Sequence, residues 1–168
     1  PVSPYGVTKL AAEHLCSLYW TNYGVPTVSL RYFTVYGPRQ RPDMGINKFV
    51  RAALNGEVII VYGDGTQTRD FTYIDDIVEA NVLAATSNVR GEVFNIGGGN
   101  RISVNDLIAA IEAVTGESVV VEHSGEQKGD VKDTWADTRK AEELLSWHAG
   151  TGITRGLEHY IDWIRKQP

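Results

Sequence analysis

The feature that most constrains the fold is an alternation of short apolar segments with longer segments whose apolar residues recur at helical spacing. Ser3 followed by Pro4 is typical of a helix start, because the hydroxyl can cap the helix and proline is tolerated at its first position. Gly24 and Pro26 favour the end of that helix. The pattern predicts helices over 4–23, from about 49, and over 75–86, 103–114, 141–145 and 157–164, with strands over 27–33, 58–62, 92–96 and 119–121. Such alternation predicts one α/β unit over residues 1–168.

Three local patterns add detail to this prediction. The segment 27–33 is mostly apolar, which is typical of a strand in a sheet that is covered on both faces. We expect Asp75 or Asp76 to cap the helix that runs to about Thr86. Ser103 with Asp106 three positions later predicts a capping box at the start of another helix.

Composition excludes several classes of function. The 168 residues are 42% hydrophobic and 22% charged, which suits one buried core, and the formal charge of −5 argues against a nucleic-acid surface. The sequence has no long apolar run and no signal-peptide pattern, so we expect no membrane partner. The four histidines show no metal-ligand spacing, and we predict no metal site. The single cysteine, Cys16, is typical of a buried, inert thiol and favours a cytoplasmic location.

Tyr5 and Lys9 are the pair with the most direct chemical use. They are four residues apart in the first predicted helix, so both side chains project from one face. A phenol is a poor base near neutral pH, but a nearby ammonium group favours its phenolate form. Such a pair can take a proton from a sugar hydroxyl while hydride leaves the same carbon. Taken alone, the spacing is also common on ordinary helix surfaces.

Several segments resemble one family, in its order along the chain. Residues 3–13, SPYGVTKLAAE, resemble the catalytic helix of extended short-chain dehydrogenases/reductases that act on nucleotide sugars, a family of epimerases and dehydratases that includes UDP-glucose 4-epimerase-like members. Residues 31–38 resemble the strand that passes the nicotinamide and the sugar, residues 63–76 the nucleotide-binding turn and following helix, and 129–137 a late substrate loop. The chain is therefore identified as a member of this family.

The resemblance implies a fold and a cofactor. We expect the C-terminal part of a Rossmann-like doubly wound sheet together with the small substrate-binding α/β domain. The implied cofactor is NAD, with Tyr5 as the acid/base, Lys9 also holding the nicotinamide ribose, and Tyr32 beside the cofactor. The sequence has no Gly-x-Gly-x-x-Gly turn between a strand and a helix, so the resemblance places the dinucleotide-binding half before Pro1. We expect residues 1–168 alone to bind NAD weakly and to be inactive or nearly so.

The resemblance also implies a nucleotide-sugar partner. Arg69 is expected to contact the diphosphate, because a guanidinium can meet two phosphate oxygens; an ion pair with Asp70 or Asp64 is the alternative. The run 34–44 is similar to members that handle both hexoses and hexuronates, and Thr34 with Lys48 could meet a uronate carboxylate. The remaining predicted substrate contacts are Ile60 and Tyr62 at the base, Asp130 in the late loop and Thr134 beside the hexose.

The predicted activity of the parent enzyme is nucleotide-sugar 4-epimerisation through transient oxidation at C4, with UDP-glucose and UDP-galactose or their uronates as substrates. A 4,6-dehydratase or a decarboxylase of the same family starts with the same oxidation and remains an alternative. A non-catalytic nucleotide-sugar-binding or oligomerisation module is the third possibility. Apolar surface on the first helix predicts a homo-oligomer.

Overall fold

The structure is a computed structural model that describes residues 1, 3–125 and 131–167. Six helices and eight short strands are defined in this part of the chain. In chain order they are α1 Pro4–Tyr23, β1 Val28–Tyr32, β2 Val35–Tyr36, α2 Gly45–Asn55, β3 Ile59–Tyr62, β4 Thr68–Asp70, β5 Thr72–Tyr73, α3 Ile74–Thr86, β6 Glu92–Ile96, β7 Arg101–Ser103, α4 Val104–Thr115, β8 Val121–Ser124, α5 Arg139–Leu145 and α6 Ile153–Arg165. No helix in these ranges is both long enough and apolar enough to cross a membrane.

The strands form four pairs. Parallel pairs join β1 to β6, β2 to β5 and β3 to β8, with Val28 opposite Glu92 and Ile59 opposite Val121. The pair β4–β7 is antiparallel. Parallel neighbours need long crossovers, and helices in this chain provide them. The predicted α/β class is confirmed.

Helix α1 begins and ends where local chemistry predicts. The amide of Gly6 donates to Ser3 Oγ at 3.1 Å, and Pro4 occupies the first helical position. Gly24 ends the helix in the left-handed region at φ 67°, where a residue without a Cβ meets little steric penalty. The capping box of Ser103 and Asp106 on α4 is likewise present.

Other boundaries were predicted incorrectly. Helix α3 begins at Ile74, and its N-cap Tyr73 makes no side-chain cap, so neither Asp75 nor Asp76 caps it. Asp76 instead accepts hydrogen bonds from the amides of Gly150 and Thr151, both at 3.2 Å, because α3 lies against that distant segment. The last strand spans Val121–Ser124 rather than 119–121. Strands β2, β4, β5 and β7 were not predicted, and each is only two or three residues long.

Two principal apolar clusters stabilise the chain. The larger gathers α2, α4, α6 and β5 around residues such as Val50, Ile111 and Leu157, which are completely buried. The second joins α3, α5 and β6 through Phe94, Ile96 and Trp147. Helix α1 contributes no buried residue to either.

Strand β1 is less covered than expected. Val28, Ser29 and Leu30 are only partly buried, whereas Phe94 and Ile96 of the paired strand β6 are fully buried. An open groove of about 360 Å³ runs along β1 and α3 and is lined by Val28, Leu30 and Ala84 among others. The prediction that this strand is covered on both faces is therefore wrong for the described residues, because the groove remains open between β1 and α3.

Candidate functional site

The pair Tyr5 and Lys9 lies on one exposed face at the start of α1. Lys9 Nζ is 5.3 Å from the centroid of the Tyr5 ring, and 71% of the surface of Tyr5 is exposed. The four-residue spacing brings the two groups together because one helical turn takes 3.6 residues. An ammonium and a phenol are thus available to one small molecule.

Tyr5 borders a cavity of about 490 Å³, which we call the Tyr5 cavity. Its other walls are the end of β2, the loop 37–41, Met44 and Ile74. Gly37 lets this loop approach α3, since a Cβ there would lie 2.6 Å from Ile74 Cγ2 and its φ is 134°. Arg39 and Arg41 add cations to the lining, and Arg41 forms an ion pair with Asp43 at 2.6 Å.

A second cavity of about 480 Å³ lies between α2 and β3, and we call it the Tyr62 cavity. Lys48 and Arg51 line it from α2, and Ile60 and Tyr62 line it from β3. The side chains of β3 alternate, so Ile59 and Val61 are buried while Ile60 and Tyr62 are 45% and 50% exposed. An aromatic ring, an aliphatic wall and two cations suit a planar base joined to an anion.

Arg69 and Thr134 meet where β4 contacts the segment that leads to α5. Arg69 Nη1 donates to the carbonyls of Thr68 at 2.8 Å and Lys132 at 3.1 Å. Thr134 Oγ1 accepts from the amide of Asp70 at 3.3 Å, and the amide of Thr134 donates to Thr68 O at 3.2 Å. The structure therefore places Arg69 on β4 and Thr134 on the adjacent segment, with both residues bonded across the contact between the two.

The other predicted residues are more scattered. The hydroxyl of Tyr32 donates to Asn81 Oδ1 at 2.8 Å, and its ring lines the groove along β1 rather than the Tyr5 cavity. The carbonyl of Thr34, directly before β2, accepts from the amide of Thr72 at 3.0 Å and extends the pairing of β2 with β5. Asp130 lies outside the described residues.

Asp70 explains the glycine run that follows β6. Its carboxyl is fully buried, Oδ2 accepts from the amide of Ala136 at 3.0 Å, and burial raises the pKa of Asp70 although backbone amides of residues 98–100 oppose the shift. A Cβ on Gly98 would lie 1.9 Å from the carbonyl oxygen of Phe71. Glycine is required at this position because the backbone after β6 passes directly over the backbone of Phe71. This close approach explains the glycines without a phosphate-binding role.

Sequence reasoning missed Arg41, Arg51 and the buried Asn47. Arg51 carried a usable signal, because it stands three positions after Lys48 on the same predicted helix face. Arg41 lies in a loop, and Asn47 is surrounded in sequence by residues of ordinary core type, so neither could be separated from its neighbours. In the described ranges, the histidines, the cysteine and the acidic residues form no group that could hold a metal ion.

Known proteins resemble the chain along nearly its whole length. A UDP-glucuronate 4-epimerase of Thermodesulfobacterium geofontis is 43% identical over 167 residues, which cover 99% of this chain and 51% of that protein. The crystal structure of UDP-glucuronic acid 4-epimerase from Bacillus cereus, in complex with UDP-glucuronic acid and NAD, has a TM-score of 0.94 at 46% identity and is matched over 54% of its length. UDP-glucose 4-epimerase of Thermotoga maritima, with UDP-glucose, has a TM-score of 0.95 at 37% identity, with 99% of this chain and 54% of that one covered.

Relatives with other reactions also match. A UDP-N-acetyl-alpha-D-glucosaminuronate decarboxylase of Bacillus cytotoxicus is 36% identical over 171 residues, covering 96% of this chain and 53% of that protein. The chain spans about half the length of the relatives it matches, and its structure corresponds to their C-terminal half. The profile of the NAD dependent epimerase/dehydratase family matches residues 1–97, and the chain belongs to that family.

Proposed function

We propose that the protein containing this chain is a nucleotide-sugar 4-epimerase that uses NAD. The observation that carries the proposal is the exposed Tyr5–Lys9 pair, 5.3 Å from ammonium to ring centroid, whose tyrosine lies on the wall of a cavity large enough for a pyranose. The similarity to UDP-glucuronate and UDP-glucose 4-epimerases supports the same reading.

The residues of this chain fit the part of NAD that would lie next to the reaction. The phenol and the ammonium on the open face of α1 can donate hydrogen bonds to ribose hydroxyls, and neither is occupied by a buried partner. Bound NAD would supply hydride acceptance and return at C4. Tyr5 and Lys9 are the residues of this chain that we assign to it, with Tyr32 as a neighbouring contact.

The chemistry we assign to the chain itself is proton movement. Tyr5 would take the proton of the C4 hydroxyl while that carbon is oxidised, and the ammonium of Lys9 would stabilise the phenolate. The 4-keto sugar must then present its other face, and Tyr5 would return the proton to the new hydroxyl. The Tyr5 cavity, at about 490 Å³, leaves room for that turn.

We propose that the nucleotide end occupies the Tyr62 cavity. Ile60 and Tyr62 would contact the base, and Lys48 and Arg51 of the same lining would contact the diphosphate. Arg69 lies outside that lining, and we propose it as a further cation for the diphosphate. Asp130 and Thr134 remain proposed contacts on the late loop. These assignments keep the anion next to fixed positive charge in a chain whose formal charge is −5.

We propose a uronate as the preferred sugar. The names of the two UDP-glucuronate 4-epimerases support this choice, and Arg39 and Arg41 line the cavity of Tyr5 and could meet a carboxylate at C6. Lys48 lines the other cavity, which favours a contact with the diphosphate over the uronate contact predicted from the sequence. Thr34 stays a proposed hydroxyl contact to the sugar.

The decisive experiment measures products from the protein encoded by the complete gene. With NAD present, UDP-glucuronate should give UDP-galacturonate, followed by NMR of the sugar anomeric proton, and UDP-glucose should react more slowly. Release of carbon dioxide from UDP-glucuronate would instead identify a decarboxylase, the activity for which the Bacillus cytotoxicus relative is named. A 4-keto-6-deoxy product from UDP-glucose would identify a dehydratase. Binding of UDP without turnover would favour a non-catalytic module.

Residues 1–168 alone should behave differently. We propose that they bind NAD weakly and turn over little or no substrate, because the sequence offers no Gly-x-Gly-x-x-Gly turn for the pyrophosphate. Exposed Leu15, Leu18 and Tyr19 on α1 support a homo-oligomer, which light scattering would test. A cytoplasmic location is proposed on the unpaired thiol of Cys16.

A further inference from the structure

A buried polar network joins the two cavities through Asn47. This residue lies on α2 with 1% exposure, between the apolar residues Ile46 and Val50 of the core. A buried amide is costly unless its donors and its acceptor are satisfied, so its partners indicate what it holds in place.

Each polar atom of the Asn47 amide has a partner. Nδ2 donates to the carbonyl of Gln40 at 3.2 Å and to the hydroxyl of Tyr160 at 2.6 Å, and Oδ1 accepts from Arg51 Nε at 2.9 Å. A guanidinium only donates and a carbonyl only accepts, so these partners fix the orientation of the amide. Aspartate or leucine could not make the same set of bonds.

The partners of Asn47 reach both cavities. Gln40 lines the Tyr5 cavity and is held further by its own side chain, whose Nε2 donates to Val35 O at 2.8 Å, while Tyr160 donates to Gln40 Oε1 at 3.3 Å. Arg51 lines the Tyr62 cavity together with Lys48. The side-chain amide of Asn47 thus bonds both to the loop that lines the Tyr5 cavity and to Arg51, a cation that lines the Tyr62 cavity.

We propose that Asn47 is a positioning residue that fixes Arg51 for the nucleotide end of the substrate and the loop 37–41 for the sugar end. This inference rests on the proposed function, since it assigns a task to each cavity. Asn47 touches no substrate in this scheme. Its effect passes through Arg51 on one side and through Gln40 on the other.

Steady-state kinetics on the protein from the complete gene test the effect through Arg51 separately from the effect through Gln40. Arg51→Gln should raise KM for the UDP-sugar roughly tenfold with little change in kcat, because it removes a cation that binds substrate and transition state alike. Tyr160→Phe removes the hydroxyl that donates to Gln40 Oε1 and accepts from Asn47 Nδ2. Because Arg51 keeps its bond to Asn47 Oδ1, this variant should lower kcat roughly fivefold with KM nearly unchanged. Asn47→Leu should show both changes together.

Two further variants keep the proposal falsifiable. Asn47→Asp retains the size of the side chain and an acceptor for Arg51 but cannot donate to the Gln40 carbonyl, so it should lower kcat. This variant tests the inference even if Asn47→Leu does not fold. Thr115→Val removes another buried hydroxyl, which donates to Ile111 O at 2.8 Å and to Glu112 O and accepts from the amide of Glu117 at 3.3 Å. Thr115 lines neither cavity, so this variant serves as the control for lost stability.

The outcomes are distinct. If the Asn47 variants match Thr115→Val, with a lower melting temperature but unchanged KM and kcat, Asn47 is only a structural residue and the inference is wrong. If the unaltered protein turns over no nucleotide sugar, the proposed function fails first. Turnover by the unaltered protein with the predicted split among Arg51→Gln, Tyr160→Phe and Asn47→Leu supports the coupling.

Discussion

Helices α1 and α6 differ in how the chain holds them. Helix α1 has 20 residues and none is buried, whereas α6 has 13 residues and buries five, among them Leu157 and Ile161. The residues proposed for proton transfer are on the exposed helix α1. The buried helix α6 packs in the larger cluster with α2, which lines the Tyr62 cavity. The proposed chemical and binding parts of the site therefore depend on the rest of the chain to different degrees.

Two polar contacts join α1 to the segment that contains β1. Glu13 forms a bidentate ion pair with Arg31 of β1, in which Nε donates to Oε2 at 2.6 Å and Nη2 donates to Oε1 at 2.7 Å. The hydroxyl of Thr27 donates to Cys16 O at 2.9 Å. Directional contacts of this kind orient a helix without burying it. The comparison predicts that substitutions on α1 change chemistry with little effect on stability, and that substitutions in the core do the reverse.

The largest expected effect is on the proton-transfer pair. Tyr5→Phe in the protein from the complete gene should lower kcat for epimerisation by roughly a thousandfold, because the general acid/base is removed. Its melting temperature should stay unchanged, since the side chain is 71% exposed. Tyr23→Phe on the same helix, 73% exposed, is the matched control and should leave the rate as it was. Similar rates for the two variants would remove Tyr5 from the mechanism.

The next effect concerns stability. Leu157→Ala should lower the free energy of unfolding by about 3 kcal/mol, because it opens a cavity at a side chain with no exposure in the larger cluster. Leu15→Ala on α1 should change it by no more than about 0.5 kcal/mol in the monomeric chain, since Leu15 is 55% exposed. Urea unfolding followed by circular dichroism measures both. Equal losses would mean that α1 is as firmly packed as α6.

A smaller effect should separate the two cavities. Arg41→Gln should reduce kcat/KM for UDP-glucuronate about tenfold more than for UDP-glucose, because it removes a cation from the cavity in which we place the uronate carboxylate. Lys48→Ala should reduce kcat/KM for both substrates by a similar factor, as expected of a residue near the shared diphosphate. The opposite pattern would restore Lys48 as the uronate contact predicted from the sequence.

The smallest effect is the pH dependence of the α1 tether. The hydrogen bond from Arg31 lowers the pKa of Glu13 below its ordinary value, so the stabilisation is fully present above that ordinary value and is lost as the pH falls through the lowered one. With Arg31 about half exposed, the pair contributes no more than about 1 kcal/mol. The protection of the α1 amides, taken as the intrinsic exchange rate divided by the observed rate, should therefore fall at acidic pH in the unaltered chain, and Glu13→Gln should show the lower protection already at neutral pH. Identical profiles for the two proteins would show that this ion pair does not hold α1.

Much of the local structure could be predicted from the sequence. The start of α1 at Pro4, its end at Gly24 and the capping box at Ser103 are decided by groups a few residues apart, and all were predicted correctly. The short strands β4 and β7 were missed because their pairing, Arg69 opposite Ile102, joins segments about thirty residues apart with no period of their own. The cap assigned to Asp75 or Asp76 failed for a related reason, since the Asp76 carboxylate is engaged by Gly150 and Thr151.

The sequence by itself determined the class of fold, the family and the juxtaposition of Tyr5 with Lys9, because these follow from residue types and from spacing within one helical turn. Only the tertiary structure decided that Arg41 shares a cavity with Tyr5 while Lys48 faces Tyr62. It also decided that Asn47 meets Tyr160 across 113 residues of chain. Helical spacing is a local property of the backbone, but the wall of a cavity depends on which distant segments pack together, and that is set by burial over the whole core.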